Sequence, residues 1–322
     1  VTHAIEQQRT RQVPRYRLYP VEVAARASVG PSFVRVTLAG DSLRSFGATG
    51  ADQRVKLVLP RPGRELPEVP EGVDWYTAWR ELAEDVRPVL RTYTVRAFRP
   101  ERGELDIDFV LHDSGPRHGG PASAWAASAG VGERVGILGP DRPGSGRMWG
   151  REWDPPECAC RFMLAGDETA VPAIGAIVEG LPADARGIVC LEVPTERDRQ
   201  SWHAPAGIQL RWLARRRAAG PVPRGSLLAP EVARALGEIR GAAGCPGACE
   251  PAPTRGEAAV LWDVPEHGDT EVPGEEFYGW FAGEAGLVKR LRRLVLAEHG
   301  VPRKSVAFMG YWKDEHPSGQ PA

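Results

Sequence analysis

The period of the hydrophobic pattern changes once along this 322-residue chain, and that change decides what it can fold into. Before residue 140 the apolar and polar residues alternate in short runs: Tyr16 to Ala27, Phe33 to Leu38, Gln53 to Pro60, Arg91 to Val95, Leu105 to His112 and Val135 to Leu138. Turn residues separate them, among them Gly40-Asp41, Pro100 with Gly103, and Gly130-Val131-Gly132. Alternation places successive side chains on opposite faces, and several such strands at turn-punctuated intervals predict a small antiparallel barrel. After residue 160 the strands read as continuous apolar runs, Arg161 to Ala165, Gly187 to Val193 and Leu210 to Leu213. The first is followed by helical spacing through Ala170, Val171, Ile174, Ile177 and Val178, stopped by Gly180 and Pro182. Strands buried on both faces and followed by helices predict a parallel sheet.

Between the two patterns Pro and Gly accumulate, in Asp141-Arg142-Pro143-Gly144-Ser145-Gly146 and Pro155-Pro156. The boundary is therefore expected there, giving a polar tail over 1–12, a barrel domain over 13–148 and an α/β domain over 149–322. Residues 60–90 interrupt the barrel pattern with Pro, Gly and acidic groups, and Trp75, Tyr76 and Trp79 are expected to pin that insertion. Residues 214–256 hold an Arg run, Pro and Gly clusters and a helix near Ala229 to Ile239, and read as a second, partly mobile insertion. The chain resumes with Phe277 to Gly286, an amphipathic helix with Leu287, Leu291, Leu294 and Val295 on one face, and a last strand from Val306 to Lys313.

Composition removes several function classes. Charges nearly cancel, at a formal net −1, which points away from nucleic acid and from a broadly basic membrane surface. No apolar run has membrane-spanning length and no secretory leader is visible, so the cytoplasm is the expected location. Five cysteines occur, at 158, 160, 190, 245 and 249. Their spacings fit no usual zinc or iron–sulfur set, so no metal site is expected and any iron–sulfur partner would be a separate electron carrier.

The chemistry-bearing residues lie in four stretches. In Arg91-Thr92-Tyr93-Thr94 an Arg, a Tyr and a Thr are read as projecting from one strand face: charge for a pyrophosphate, a ring for a flat heterocycle and a hydroxyl for its edge. By alternation alone the same residues also read as a half-exposed strand with a satisfied Tyr. Gly120-Pro121-Ala122-Ser123 has the composition of a helix start that receives an anion on its free N–H groups. Gly166-Asp167-Glu168-Thr169 turns a strand into a helix, an arrangement that can receive a nucleotide phosphate, without the Gly-x-Gly-x-x-Gly fingerprint. Arg197 and Arg199 follow the next strand, where a 2′-phosphate could lie, although Glu196 and Asp198 beside them also fit an ordinary surface loop.

Arg91-Thr92-Tyr93-Thr94 resembles the flavin signature of the ferredoxin-reductase superfamily. Together with Phe109 to His112 and Gly120 to Ala126, it is similar to one branch, the siderophore-interacting proteins. Ala165 to Ala173, Trp280 to Ala285 and Gly310 to Lys313 resemble the same family. The resemblance implies a six-stranded antiparallel FAD-binding barrel followed by a parallel-sheet NAD(P)H-binding domain. It implies FAD held by Arg91, Thr92, Tyr93, Thr94, His112, Gly120, Pro121, Ala122 and Ser123. NAD(P)H, with a lean to NADPH, would be met by Gly166, Asp167, Glu168, Thr169, Arg197, Arg199, Gly283 and Glu284. The implied activity is NAD(P)H-dependent reduction of a ferric siderophore or another Fe(III) chelate. No acid–base residue is expected, because the flavin carries the chemistry. Lys313, Arg303 and Lys304 are candidates for a basic rim that attracts an anionic iron complex, and read equally well as solvated surface charges. Two alternatives stay open: a reductase of the superfamily serving another acceptor, and a non-enzymatic siderophore carrier.

Overall fold

The structure, a computed structural model, describes residues 16–48, 50–66, 75–111, 120–142, 150–217, 220–241, 261–265 and 276–314. Two compact units divide the chain: Val1–Ser28 with Val34–Arg151, and Val29–Phe33 with Glu152–Ala322.

The first unit is built on seven strands: β1 (Tyr16–Gly30), β2 (Phe33–Ala39), β3 (Arg54–Leu59), β4 (Val89–Thr94), β5 (Ala97–Arg99), β6 (Glu104–Val110) and β7 (Arg134–Pro140). They form one sheet in the order β4-β3-β7-β1-β2-β6-β5. The pairs β1–β7, β3–β4, β3–β7 and β5–β6 run antiparallel. The edge strands β4 and β5 lie at opposite ends of that order, yet only Val95 and Arg96 separate them in sequence. Two residues span less than about 11 Å, so the sheet must curl until its edges meet, as in a barrel. Tyr93 of β4 against Phe109 of β6, with ring centroids 4.4 Å apart, closes that seam. Inside lie Tyr19, Val36, Leu38, Leu57, Leu105, Ile107, Phe109 and Ile137, all fully buried.

Six of these strands follow the alternating runs. The seventh, β5, has three residues and falls between the run that ends at Val95 and the turn at Pro100, where the sequence reading places no strand. The polar positions of β6 are also not the solvated face that alternation predicts. Asp106 and Asp108 are buried, Asp106 under a bidentate Arg99 (2.7 and 2.8 Å) and the Thr37 hydroxyl (2.8 Å), Asp108 under Arg35 (2.6 and 2.9 Å). Helix α1 (Trp75–Glu81) lies in the insertion. There Trp79 donates its indole N–H to the Pro88 carbonyl at 3.0 Å, and Arg87 stacks over its ring. Helix α2 (Gly120–Ser128) precedes β7.

The second unit contains β8 (Arg161–Gly166), α3 (Val171–Glu179), β9 (Arg186–Val193), β10 (Gly207–Ala214), the short pair β11 (Arg216–Arg217) and β12 (Gly220–Pro221), α4 (Leu228–Gly241), β13 (Trp262–Asp263), β14 (Phe277–Glu284), α5 (Ala285–Arg293) and β15 (Val306–Trp312). Its main sheet runs β10-β9-β8-β14-β15-β13. The first five strands are mutually parallel, and β13 is an antiparallel edge. The chain leaves β8 towards β10 and then crosses back to β14. The topological switch therefore lies between β8 and β14, and a ligand of such a sheet binds beyond the carboxyl ends of those strands.

Helix α4 belongs to the core, not to an insertion. Leu228, Val232, Ala235 and Leu236 are fully buried against Met163, Phe281, Leu287 and Leu291. Its Pro- and Gly-rich flanks disguise a crossover helix with an ordinary apolar stripe. Cys190 lies in the same core, where burial pushes its thiol up to about 12. Cys245 and Cys249 lie outside the described residues.

Candidate functional site

In the first unit the wall that carries the flavin signature is β4 with β6 and α2. Alternation splits the signature, contrary to the single face expected for Arg, Tyr and Thr: Arg91 and Tyr93 share one face, and Thr92 and Thr94 the other. Arg91 is exposed, with one guanidinium nitrogen donating to the Leu90 carbonyl at 2.8 Å. Tyr93 is half-buried on Phe109, which meets Trp125 of α2 edge-on at 5.7 Å, so three aromatic rings join strand, strand and helix. Burial raises the Tyr93 hydroxyl to about 12, with the Arg91 charge opposing, so it stays a neutral donor at physiological pH.

Thr92 instead accepts a 2.6 Å bond from the Lys56 ammonium, whose pKa is lowered by burial and then by the nearby Arg54 charge. Sequence reading missed Lys56, because its partner lies 36 positions away. Thr94 is buried.

Helix α2 begins at Gly120, which adopts φ +69° with no described residue within 4 Å of where a Cβ would stand. Pro121 brings no N–H, so the first turn offers the amides of Gly120 and Ala122, which have no partner within the helix. The Ser123 hydroxyl is already committed to the Val110 carbonyl at 2.9 Å, pinning α2 to β6. An open glycine start, an exposed arginine and a half-exposed tyrosine ring on one wall fit the phosphates and the flat ring of FAD. His112 lies outside the described residues.

In the second unit the carboxyl edge of the sheet brings Gly166, Asp167, Glu168, Thr169, Gly283 and Glu284 together. Asp167 is fully buried. One oxygen accepts from the Thr169 backbone (2.9 Å) and hydroxyl (2.5 Å); the other accepts from the Glu284 backbone (2.7 Å) and the Trp312 indole (3.1 Å). One carboxylate thus fastens the ends of β8, β14 and β15. Burial, and then the adjacent Glu168 charge, raise it to about 6. A Cβ at Gly283 would stand 2.8 Å from that carboxylate, so the close approach requires glycine there.

Burial would raise Glu168 too, but the hydrogen bonds and charge of Arg215 and the charge of Arg224 overcome it and hold Glu168 below the usual carboxylate range. Arg215 binds it at 2.7 and 3.0 Å and Arg224 at 2.7 Å. Glu192, also fully buried, accepts the Gly225, Leu227 and Leu228 amides at 2.6, 3.1 and 2.9 Å, which caps the start of α4. Glu284 caps α5 through the Leu287 amide at 2.8 Å. Arg224 lies 4.6 Å over the Trp312 ring.

Arg197 and Arg199 are exposed in the turn after β9, with Arg199 paired to Glu196. Their neighbour Asp198 is not a surface charge. It is buried, accepting from the Thr195 amide and hydroxyl and from the Ser32 amide and hydroxyl at 2.7 to 3.1 Å. The three rim candidates do not form one rim. Lys313 follows the carboxyl end of β15, whereas Arg303 and Lys304 precede its start, so the length of the strand, about 20 Å at the usual rise per residue, separates them. Arg303 is also paired with Asp263, which Arg292 holds at 2.7 Å.

Comparison with known proteins agrees with both units. The family described as "Siderophore-interacting FAD-binding domain" matches residues 22–144, and that described as "Siderophore-interacting protein" matches residues 159–315. Ferric vibriobactin reductase ViuB of Vibrio cholerae is 34% identical over 202 residues, covering 62% of this chain and 68% of the relative. The NADPH-dependent ferric-chelate reductase of Escherichia coli is 27% identical over 311 residues, covering 95% and 96%. The crystal structure of the siderophore-interacting protein SipS from Aeromonas hydrophila superposes with a TM-score of 0.61 at 31% identity, covering 94% of this chain and all of that one. With an FAD-binding barrel first and a parallel α/β unit second, the chain belongs to the siderophore-interacting protein family.

Proposed function

We propose that the protein is an NAD(P)H-dependent, FAD-containing reductase of ferric siderophores or related Fe(III) chelates, working in the cytoplasm. One observation carries the reading: the open Gly120 helix start, Arg91 and the Tyr93 ring share a wall in a barrel whose relatives include two named ferric reductases. When bound, FAD supplies the conversion of a two-electron hydride donor into one-electron reductions, so each NAD(P)H reduces two Fe(III). The residues supply position. The Arg91 guanidinium and the α2 amides hold the phosphates, and Tyr93 lies along the flat ring. Gly166, Asp167, Glu168, Thr169, Gly283 and Glu284 shape the crevice for the nicotinamide dinucleotide. NADPH is favoured by the NADPH-dependent relative and by the exposed Arg197 and Arg199 after β9. Lys313 is the rim cation at the ligand end of its sheet, where it raises the local concentration of an anionic iron complex.

The test is a panel of acceptors: catecholate and hydroxamate ferric siderophores, ferric citrate and a small quinone, supplied with NADPH and FAD-loaded protein. Fe(II) trapped by a chromogenic chelator should form with the iron complexes faster than the quinone is reduced. Quinone reduction without Fe(II) would assign the protein to another acceptor, and no turnover with any of them would leave a carrier.

A further inference from the structure

In a strand–turn–helix unit that takes a dinucleotide, the pyrophosphate sits on amides at the end of the first strand. Here that turn, Gly166-Asp167-Glu168-Thr169, holds an anion of its own. The Asp167 carboxylate takes the Thr169 amide and hydroxyl, and reaches across the switch point to the Glu284 amide and the Trp312 indole. It is fully buried, and its carboxylate stands 2.8 Å from where a Cβ on Gly283 would be, so it packs tightly between the ends of β8 and β14.

Resting on the donor assignment above, we propose that Asp167 sets the affinity for the nicotinamide dinucleotide. Its carboxylate holds the donors a pyrophosphate would take, and the dinucleotide binds together with one proton from solvent, which goes to Asp167.

Among the described residues the charged groups around Asp167 are mostly acidic, and Lys313, next to Trp312, is exposed at the surface. Glu168 on the same turn, Glu192 at the end of β9, Glu284 at the end of β14 and Asp314 after β15 are all acidic. The cations that face them are Arg215 and Arg224. Arg215 gives its hydrogen bonds to Glu168 and Glu192, and Arg224 pairs with Glu168 and, more loosely, Asp314. A phosphate entering beside a buried carboxylate makes two neighbouring anions, and the cheaper outcome is protonation of the one already poised near neutrality. Asp167, raised to about 6, is that group. A dinucleotide that selects the protonated form binds about tenfold more tightly for each unit of pH lowered between roughly 8 and 6.5, and levels off below 6.

The experiment is calorimetric titration of the full-length, FAD-loaded protein with NAD+, whose phosphates do not titrate in this range. Runs at pH 7.5 in two buffers of different ionisation enthalpy count the protons taken up. Wild type should take up close to one proton per NAD+ bound. Asp167→Gly, which removes the carboxylate, should take up none and bind at least tenfold more tightly. Wild-type binding without proton uptake overturns the inference and leaves the donor assignment standing, and it does so even if the variant fails to fold. A folded Asp167→Gly that binds no more tightly than wild type also overturns it. Failure of both proteins to bind NAD+ or NADP+ overturns the donor assignment and the inference together.

Discussion

Glu168 is a buried carboxylate whose ionisation depends on two arginines that come from 47 and 56 residues further along the chain. Neutralising it leaves Arg215 to Glu192 at 3.4 Å and Arg224 to the looser Asp314 contact at 3.9 Å, and breaking one side of a buried pair is costlier than never having had it. Glu168→Gln should therefore destabilise the second unit by about 3–5 kcal/mol, read from the urea midpoint at unchanged m value. A loss below about 1 kcal/mol would mean that water already reaches the pair. In the first unit Arg91 is the exposed cation of the proposed phosphate site. Arg91→Ala should weaken FAD retention by about 1.5–3 kcal/mol, measured by equilibrium dialysis of released flavin, with the fold intact. Unchanged retention would remove Arg91 from the site. The long-range partners of Thr92 and Glu168 are not visible in the sequence: Lys56, Arg215 and Arg224 were missed because nothing local marks them. The face occupied by Thr92 and Thr94, by contrast, was legible from alternation and was misassigned.

At the scale of elements, β6 shows what periodicity carries and what it leaves out. Its alternation matches the burial of Leu105, Ile107 and Phe109 inside the barrel. The intervening Asp106 and Asp108 looked solvated, and became buried because Arg99 and Arg35 fold over them. Burial alone would raise Asp106, but the Arg99 and Thr37 hydrogen bonds, with the charges of Arg99 and Arg35, hold it below the usual range. A depressed carboxylate stabilises the fold above its unfolded pKa and loses that contribution as pH falls through the folded value. Asp106→Asn should therefore lower barrel stability at pH 7 by about 1–3 kcal/mol. It should also flatten the further loss between pH 4 and pH 2, followed by urea unfolding at each pH. An unaltered acid slope would place that sensitivity elsewhere. Asp167 has the opposite sign: its raised pKa makes its contribution greatest in acid and smaller as pH rises through about 6. The long, strongly periodic elements β1, β2, α3 and α5 were legible. The three-residue β5 offered too short a pattern, and α4 was hidden by the Pro and Gly around it.

For the molecule as a whole, the change of hydrophobic period separated a curled antiparallel sheet from a parallel one, and that much followed from the sequence. The strand order β10-β9-β8-β14-β15 followed only from the structure, because nothing local in a strand says which neighbour it takes. That order places Asp167, Glu284 and Trp312 at one crevice, while the first unit gathers Arg91, Tyr93 and the α2 start on one wall. The reductase proposed above draws electrons from a nicotinamide and yields them to an iron chelate. The most direct test is anaerobic rapid mixing of the FAD-loaded protein with NADPH, followed by a ferric siderophore, while the flavin band and trapped Fe(II) are recorded. The band should bleach on mixing with NADPH and return with the siderophore, two Fe(II) appearing per NADPH consumed. A flavin that NADPH leaves oxidised, or a bleached flavin that the ferric complex cannot restore, would contradict it.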